Sequence, residues 1–137
     1  MNWFWPVLGL IVIYLLVSYF RRRAGSNGLG TYEKLRALLE TGERPFTLVD
    51  VRTPDEYRAG HIPGAINIPH DRIGSKPPKA DRTALVVLYC HTGSRSVFAR
   101  AALKQNGFTE VSNFGRIGKW RGPVVEGSKP GSIATAP

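Results

Sequence analysis

The sequence predicts an α/β domain, built on a mainly parallel sheet with helices on both faces. Short apolar runs of strand length alternate with segments of helical periodicity, and the chain beyond its first twenty residues is long enough for one hydrophobic core. Alternating strands and helices favour right-handed crossovers, which cover both faces of a parallel sheet. The single cysteine excludes a disulfide scaffold, and a free thiol suits a reducing compartment.

The first element is an apolar stretch, residues 2–20, which contains no Asp, Glu, Lys or Arg and is followed by three arginines at 21–23. At ~1.5 Å per residue this stretch approaches the ~30 Å hydrocarbon thickness of a bilayer, so it predicts one transmembrane helix before the domain. A cleaved signal peptide is the alternative, but its basic residues would precede the apolar core. By the positive-inside tendency, the arginines predict a single-pass membrane protein whose domain faces the cytoplasm.

Two segments flank the predicted domain, which covers residues 31–125. Residues 21–30 combine the basic flank with the small, glycine-rich stretch AGSNGLG, which predicts a flexible tether. Residues 126–137 have the composition of a disordered tail. The formal net charge of +9 is spread along the chain without a basic helix or an interleaved aromatic motif. This pattern argues against nucleic acid as a partner and favours anionic lipid headgroups or an ordinary surface.

The first half of the domain predicts a helix, a strand and a second helix. Residues 31–42 place leucines at helical spacing between an N-cap threonine and a glycine just past the end. Residues 46–51, FTLVDV, are typical of a short buried strand. In TPDEYRAG, residues 53–60, Thr53 and Glu56 form a capping box, proline takes the first helical position and glycine ends the helix.

The second half predicts three strands and one helix. The strands cover residues 65–69, 84–90 and 109–114, and the helix covers residues 94–107. Residues 70–83 are rich in proline, glycine and charge, which predicts a loop. The strand at 84–90 is the most apolar and is expected at the centre of the sheet. In the helix, Val97, Ala101 and Leu103 are expected to face the core.

Cys90 stands where a parallel sheet places its functional sites. It ends the most apolar strand and precedes a helix, so it is expected at the carboxyl edge of the sheet. A helix N-terminus offers unpaired N–H groups and partial positive charge, which favour a thiolate. Gly93 permits a turn in which successive N–H groups form an anion-binding nest, and Arg95 adds a fixed fork of donors. The pattern predicts a nucleophilic cysteine in an anion-binding loop.

Other interpretations of these residues were weighed. A lone cysteine is often no more than a small buried hydrophobe. His91 is a tempting base, but adjacent residues on a curling loop usually point apart, so it is expected at the surface. His61 and His70 lack the spacing to other ligand types that a metal site requires. No metal and no cofactor are predicted.

Three segments together resemble a known family. LVDVRTPDEYRAGHIPGAINIP at residues 48–69, CHTGSRS at 90–96 and GRIGKWRGPVVEG at 115–127 are similar, in this order, to the signature segments of rhodanese-like sulfurtransferase domains. The resemblance implies a single-domain thiosulfate sulfurtransferase. Cys90 would accept a sulfane sulfur from a donor such as thiosulfate, hold it as a persulfide and pass it to a thiol or cyanide.

The resemblance also assigns the site residues. Substrate-binding positions fall on His91, Thr92, Gly93, Ser94, Arg95, Ser96 and Arg52. Asp50 and Arg58 match family positions near the core or pocket, and salt bridges that hold the strand to the next helix are expected of them. Phosphatases of this fold have five residues between the cysteine and the arginine, whereas this chain has four, which suits a sulfane sulfur better than a phosphate.

Some features leave alternatives open. Arg95 is the only permanent cation in the loop, whereas thiosulfate-preferring relatives often carry further basic residues, so the donor is not fixed by the sequence. Arg116 stands where the family usually has a second glycine, which predicts a modest change in that turn. The expected partners are a small sulfur donor, a thiol or cyanide acceptor, the membrane, and a sulfur-accepting protein. The alternative function is a non-catalytic rhodanese-fold binding module at the membrane, in which the cysteine is incidental. The intact loop from cysteine to arginine favours the enzyme.

Overall fold

A four-stranded parallel sheet forms the centre of the domain, with its strands in the spatial order Ile66–Asn67, Phe46–Asp50, Leu85–Cys90 and Glu110–Arg116. The structure is a computed structural model and describes residues 2–27 and 29–133. The elements are α1 (Phe4–Asn27), α2 (Tyr32–Thr41), β1 (Phe46–Asp50), α3 (Pro54–Ala59), β2 (Ile66–Asn67), β3 (Leu85–Cys90), α4 (Ser94–Gln105), β4 (Glu110–Arg116) and a 3₁₀ turn (Ile117–Lys119). The predicted parallel sheet is confirmed.

The sheet has a separate apolar core on each face. On one face, Leu35 and Leu38 of α2 pack with alternate β3 residues and with Trp120. On the other face, Ala99 and Leu103 of α4 pack against the remaining β3 residues. All six residues of β3 are buried, as expected of a central strand covered on both sides. Helices on both faces are thus confirmed.

Local capping signals fix the helix ends in the first half of the domain. Thr53 Oγ1 accepts a hydrogen bond from the Glu56 N–H at 3.3 Å, as the capping box predicts. Gly42 ends α2 in the left-handed conformation (φ +57°), and its N–H donates to Leu38 O. These two helices lie where the sequence places them because their start and stop signals are local.

The buried face of α4 differs from the prediction. Val97 is 58% exposed and Ala101 is also exposed, so their predicted core positions are wrong, whereas Leu103 is buried as predicted. The buried face instead runs through Ser96, Ala99 and Leu103. A serine can lie on this face because its hydroxyl donates to Gly93 O at 2.9 Å, which satisfies the buried polar group.

The N-terminal helix requires a correction. Within residues 2–27 and 29–133, no helix is long and apolar enough to cross a membrane. Helix α1 extends from Phe4 to Asn27, but the arginines at 21–23 end its apolar part, which stays short of the ~20 residues that a bilayer core requires. The predicted localisation as a single-pass membrane protein is therefore wrong, and the predicted membrane anchor is not supported. The helical conformation also continues into the predicted tether and ends at Asn27.

The end of the chain also differs from the expected tail. Residues 134–137 lie outside the described residues, but the preceding segment is hydrogen-bonded to the domain. The Gly127 N–H donates to Arg58 O at 2.9 Å, and the Gly64 N–H donates to Pro130 O at 2.8 Å. The buried His61 ring contacts Lys129 O through Nε2 at 3.0 Å. These contacts join residues distant in sequence, which composition does not reveal.

Candidate active site

Cys90 occupies the last position of β3, at the predicted carboxyl edge of the sheet. Its side chain is fully buried, and its sulfur faces the loop that follows, because Sγ accepts a hydrogen bond from the Gly93 N–H at 2.9 Å. The thiol also lies 3.6 Å from Ser96 Oγ. The buried Ser96 hydroxyl, which accepts from the thiol and donates to Gly93 O, links the sulfur to the first turn of α4. The sulfur therefore has one backbone donor, the Gly93 N–H, that can stabilise negative charge on it.

The loop from Cys90 to α4 depends on one glycine. Gly93 has φ +97°, a conformation that is strained for residues with a side chain, and it is the N-cap position of α4. A Cβ at this position would lie 3.8 Å from Gly115 C and 3.9 Å from Arg116 N, so the loop packs beside the end of β4. The side chains of His91 and Thr92 are exposed. Of the predicted loop residues, Gly93 and Ser96 contact Sγ, through a backbone N–H and a hydroxyl.

Arg95 is tied to a carboxylate that the sequence analysis did not assign to the site. Its Nη1 and Nη2 donate to the two carboxylate oxygens of Glu56, each at 3.0 Å. The hydrogen bond from Arg95 lowers the pKa of Glu56 from 4.5 to about 2, against the opposing effect of burial. Glu56 therefore both accepts a hydrogen bond from the hydroxyl of the N-cap residue Thr53 and neutralises the loop cation. The capping box explains Glu56 locally, so nothing in the sequence pointed to this second contact.

The ion pair of Glu56 with Arg95 gives a pH-dependent prediction. The folded-state pKa is depressed, so the pair stabilises the fold above about pH 4.5 and loses this effect as the pH falls towards 2. Glu56→Gln is expected to lower the free energy of unfolding at pH 6, and the difference from wild type should shrink at pH 3. Urea unfolding at both pH values measures this, with Glu33→Gln in the exposed ion pair with Arg121 as the control. A Glu56→Gln difference that is equal at both pH values would contradict the prediction.

Arg52, which the resemblance assigns to substrate binding, makes buried contacts within the protein. Its guanidinium pairs with Asp50, with 2.7 Å from Nη2 to Oδ2, and the same nitrogen donates to Gly60 O at 2.7 Å. This bridge holds the end of β1 to the end of α3, as expected for Asp50. Arg58 instead pairs with Asp55 on the exposed side of α3. Arg52 is therefore held at the end of β1 by Asp50 and Gly60, and its role in substrate binding stays a prediction.

The described residues offer no cluster of three or more His, Cys, Asp or Glu side chains that could hold a metal ion. His61 is buried and stacks on Tyr57 with ring centroids 3.7 Å apart, and its Nδ1 contacts Tyr57 O at 2.8 Å. His61 thus has structural partners through both ring nitrogens. The groups gathered at the sheet edge are a thiol, backbone N–H groups, a hydroxyl and cations, which suit the binding of an anion and nucleophilic attack by sulfur.

Comparisons with known proteins agree with this architecture. Human single-domain sulfurtransferase TSTD1 has a similar structure, with a TM-score of 0.59 and 28% identity, over 66% of this chain and 91% of its own. Thiosulfate sulfurtransferase PspE of Escherichia coli is 37% identical over 83 residues, which are 58% of this chain and 78% of that protein. Uncharacterized protein YqhL of Bacillus subtilis is 35% identical over 119 residues, which are 86% of this chain and 90% of that protein. Residues 31–120 match the family described as Rhodanese-like domain. The chain therefore belongs to the rhodanese-like domain family.

Proposed function

We propose that this protein is a sulfurtransferase that takes a sulfane sulfur from thiosulfate and carries it as a persulfide on Cys90. One observation carries the proposal: the sulfur of the chain's single cysteine lies 2.9 Å from the Gly93 backbone nitrogen, in a loop at the carboxyl end of the central strand. Relatives named as sulfurtransferases, among them one named for thiosulfate, support it.

The first half-reaction forms the persulfide. The Cys90 thiolate attacks the outer sulfur of thiosulfate and forms a new S–S bond to it. The original S–S bond of thiosulfate breaks, and its electron pair leaves with sulfite. One thiolate and one thiosulfate dianion give one persulfide anion and one sulfite dianion, so no oxidant or reductant is needed. The Gly93 N–H is within hydrogen-bonding distance of the attacking sulfur and stabilises its charge.

The second half-reaction returns the free thiolate. A cyanide ion or a thiolate acceptor attacks the outer sulfur of the persulfide, and the electron pair of the S–S bond returns to Cys90. Cyanide leaves as thiocyanate, and a thiolate leaves as a new persulfide. A single cysteine is sufficient for this cycle, because the acceptor takes the place of a second, resolving cysteine.

The proposal is tested by intact mass spectrometry of the full chain after incubation with thiosulfate. We expect the mass of one added sulfur atom, located on the peptide that contains Cys90 by fragmentation and removed by cyanide with release of thiocyanate. A protein that gains no sulfur, although Cys90 is fully alkylated after denaturation and is therefore a free thiol, would overturn thiosulfate sulfur transfer. A non-catalytic binding module would then be the better interpretation.

A further inference from the structure

The cationic side chain beside the candidate nucleophile comes from β4, outside the loop. Along most of its length, β4 pairs with β3 in regular parallel register, from Leu85 with Glu110 to Leu88 with Asn113. The register then shifts by one residue, so that Tyr89 pairs with Gly115. Phe114 is the additional residue of this bulge, and Gly115 has φ +96°, a conformation that favours glycine.

The bulge determines which residue stands beside Cys90. Without it, Gly115 would be the partner of Cys90, whereas the shifted register places Arg116 there. Paired residues on neighbouring parallel strands are about 4.8 Å apart and direct their side chains to the same face of the sheet. Cys90 belongs to the core on the α4 face. The register therefore directs the Arg116 side chain from the same face, at the edge where the Cys90 loop begins.

Arg116 is free to bind an anion, whereas Arg95 is not. The Arg95 guanidinium is occupied by both oxygens of the Glu56 carboxylate. The Arg116 side chain is exposed, and it has no ion-pair or hydrogen-bond partner among the residues that the structure describes. Lys119, the next cation along the chain, lies over the Phe114 ring at 5.0 Å, and Phe114 belongs to the core on the opposite face.

The backbone at Arg116 imposes no need for a glycine. Its φ of −94° and ψ of 140° are ordinary extended values, so side chains of any size are tolerated there. The Arg116 backbone nitrogen also lies beside the Gly93 turn, 3.9 Å from the position that a Cβ on Gly93 would take. An arginine at this position therefore adds a positive charge near Cys90 without backbone strain.

We infer that Arg116 is the residue that selects an anionic sulfur donor, by binding the negatively charged end of thiosulfate while Cys90 attacks the outer sulfur. This inference rests on the proposed function. An arginine fork is suited to the oxygens of a sulfonate group and also favours the departure of sulfite. The acceptor half-reaction with cyanide depends less on such a cation, because the cyanide ion carries one charge and has no oxygens for the arginine fork to bind, whereas thiosulfate carries two charges and three oxygens.

The test compares the two half-reactions by steady-state kinetics of the full chain. For Arg116→Gln, kcat/KM for thiosulfate is expected to fall about tenfold at low ionic strength, with a smaller difference at high salt. The value of kcat/KM for cyanide should fall much less, by about twofold at most. Arg116→Lys, which retains the charge, should keep most of the thiosulfate value. Arg44→Gln removes the same charge from an ion pair with Glu110 at the start of β4 and should match wild type.

The outcomes separate this inference from the proposed function. A wild-type protein that transfers sulfur, together with an Arg116→Gln variant of unchanged kcat/KM for thiosulfate, would overturn the role of Arg116 and leave sulfur transfer intact. An equal fall of both kcat/KM values would also overturn it, because a general disturbance of the loop would affect both half-reactions. A wild-type protein that takes no sulfur from thiosulfate would overturn the proposed function, and the assignment of Arg116 with it.

Discussion

Asp50→Ala is expected to lower the free energy of unfolding by about 3–5 kcal/mol, the cost typical of leaving one charge of a buried ion pair without its partner. Asp50 is fully buried, and its carboxylate accepts hydrogen bonds from both the backbone and the guanidinium of Arg52. Removing it leaves Gly60 O as the one polar partner of the buried Arg52 guanidinium among the residues that the structure describes. Urea unfolding at neutral pH measures the loss.

Two further variants test the cause of this destabilisation. Asp55→Ala removes a carboxylate of the same type from the exposed ion pair with Arg58 and is expected to change stability by less than about 1 kcal/mol. Asp50→Ala combined with Arg52→Met removes both buried charges and should be less destabilising than Asp50→Ala alone. If Asp55→Ala and Asp50→Ala cost the same, burial of the charge is not the reason for the loss.

The parts of the fold that could be predicted are those with local signals. Helix α3 is one example, because its capping residues lie within eight positions of one another and the structure confirms the hydrogen bond of Thr53 with Glu56. The burial of β3 is another, since an apolar run of strand length has to lie between two covered faces. In both cases the residues that indicate the element in the sequence are the same residues that form it in the structure.

The features that the sequence did not predict depend on contacts between distant residues. The buried face of α4 includes Ser96 because Gly93 O accepts a hydrogen bond from its hydroxyl. The spacing of apolar residues cannot indicate this position, since serine is polar. The segment after Gly127 is held by groups of α3 and His61, although its composition is that of a tail. Residues 2–20 contain no charged side chain and approach the thickness of a bilayer, which predicts a membrane span, but no helix among the described residues is long and apolar enough to cross a membrane.

The candidate site shows the same division. The loop around Cys90 follows from a short motif, and the structure places Gly93 and Ser96 next to its sulfur. The charge balance of the site does not follow from that motif. Glu56, from α3, occupies the guanidinium of Arg95, and a one-residue bulge in β4 brings Arg116 beside Cys90. The ion pair of Arg95 and the position of Arg116 therefore both depend on contacts between elements that are distant in sequence.

Cys90→Ser is expected to lower the rate of sulfur transfer from thiosulfate to cyanide by at least about 10⁴-fold, because it removes the nucleophile itself. A serine hydroxyl at this position has no adjacent base to ionise it, since the groups next to Sγ are the Gly93 N–H and the Ser96 hydroxyl. The variant should nevertheless fold, because these two groups can hydrogen-bond to the new hydroxyl in the buried position. Thiocyanate release measures the rate, and urea unfolding checks the fold.

Ser96→Ala provides the comparison that separates a nucleophile from a supporting group. It removes the hydroxyl that accepts from the thiol and donates to Gly93 O, and it is expected to reduce the same rate at most about tenfold, in line with the loss of hydrogen bonds that position the sulfur and its loop. Because Cys90 is the only cysteine, no other thiol in the chain can replace it. A folded Cys90→Ser variant that keeps more than about 1% of the wild-type rate would therefore contradict persulfide transfer, since so small a loss is far below that expected for a missing nucleophile.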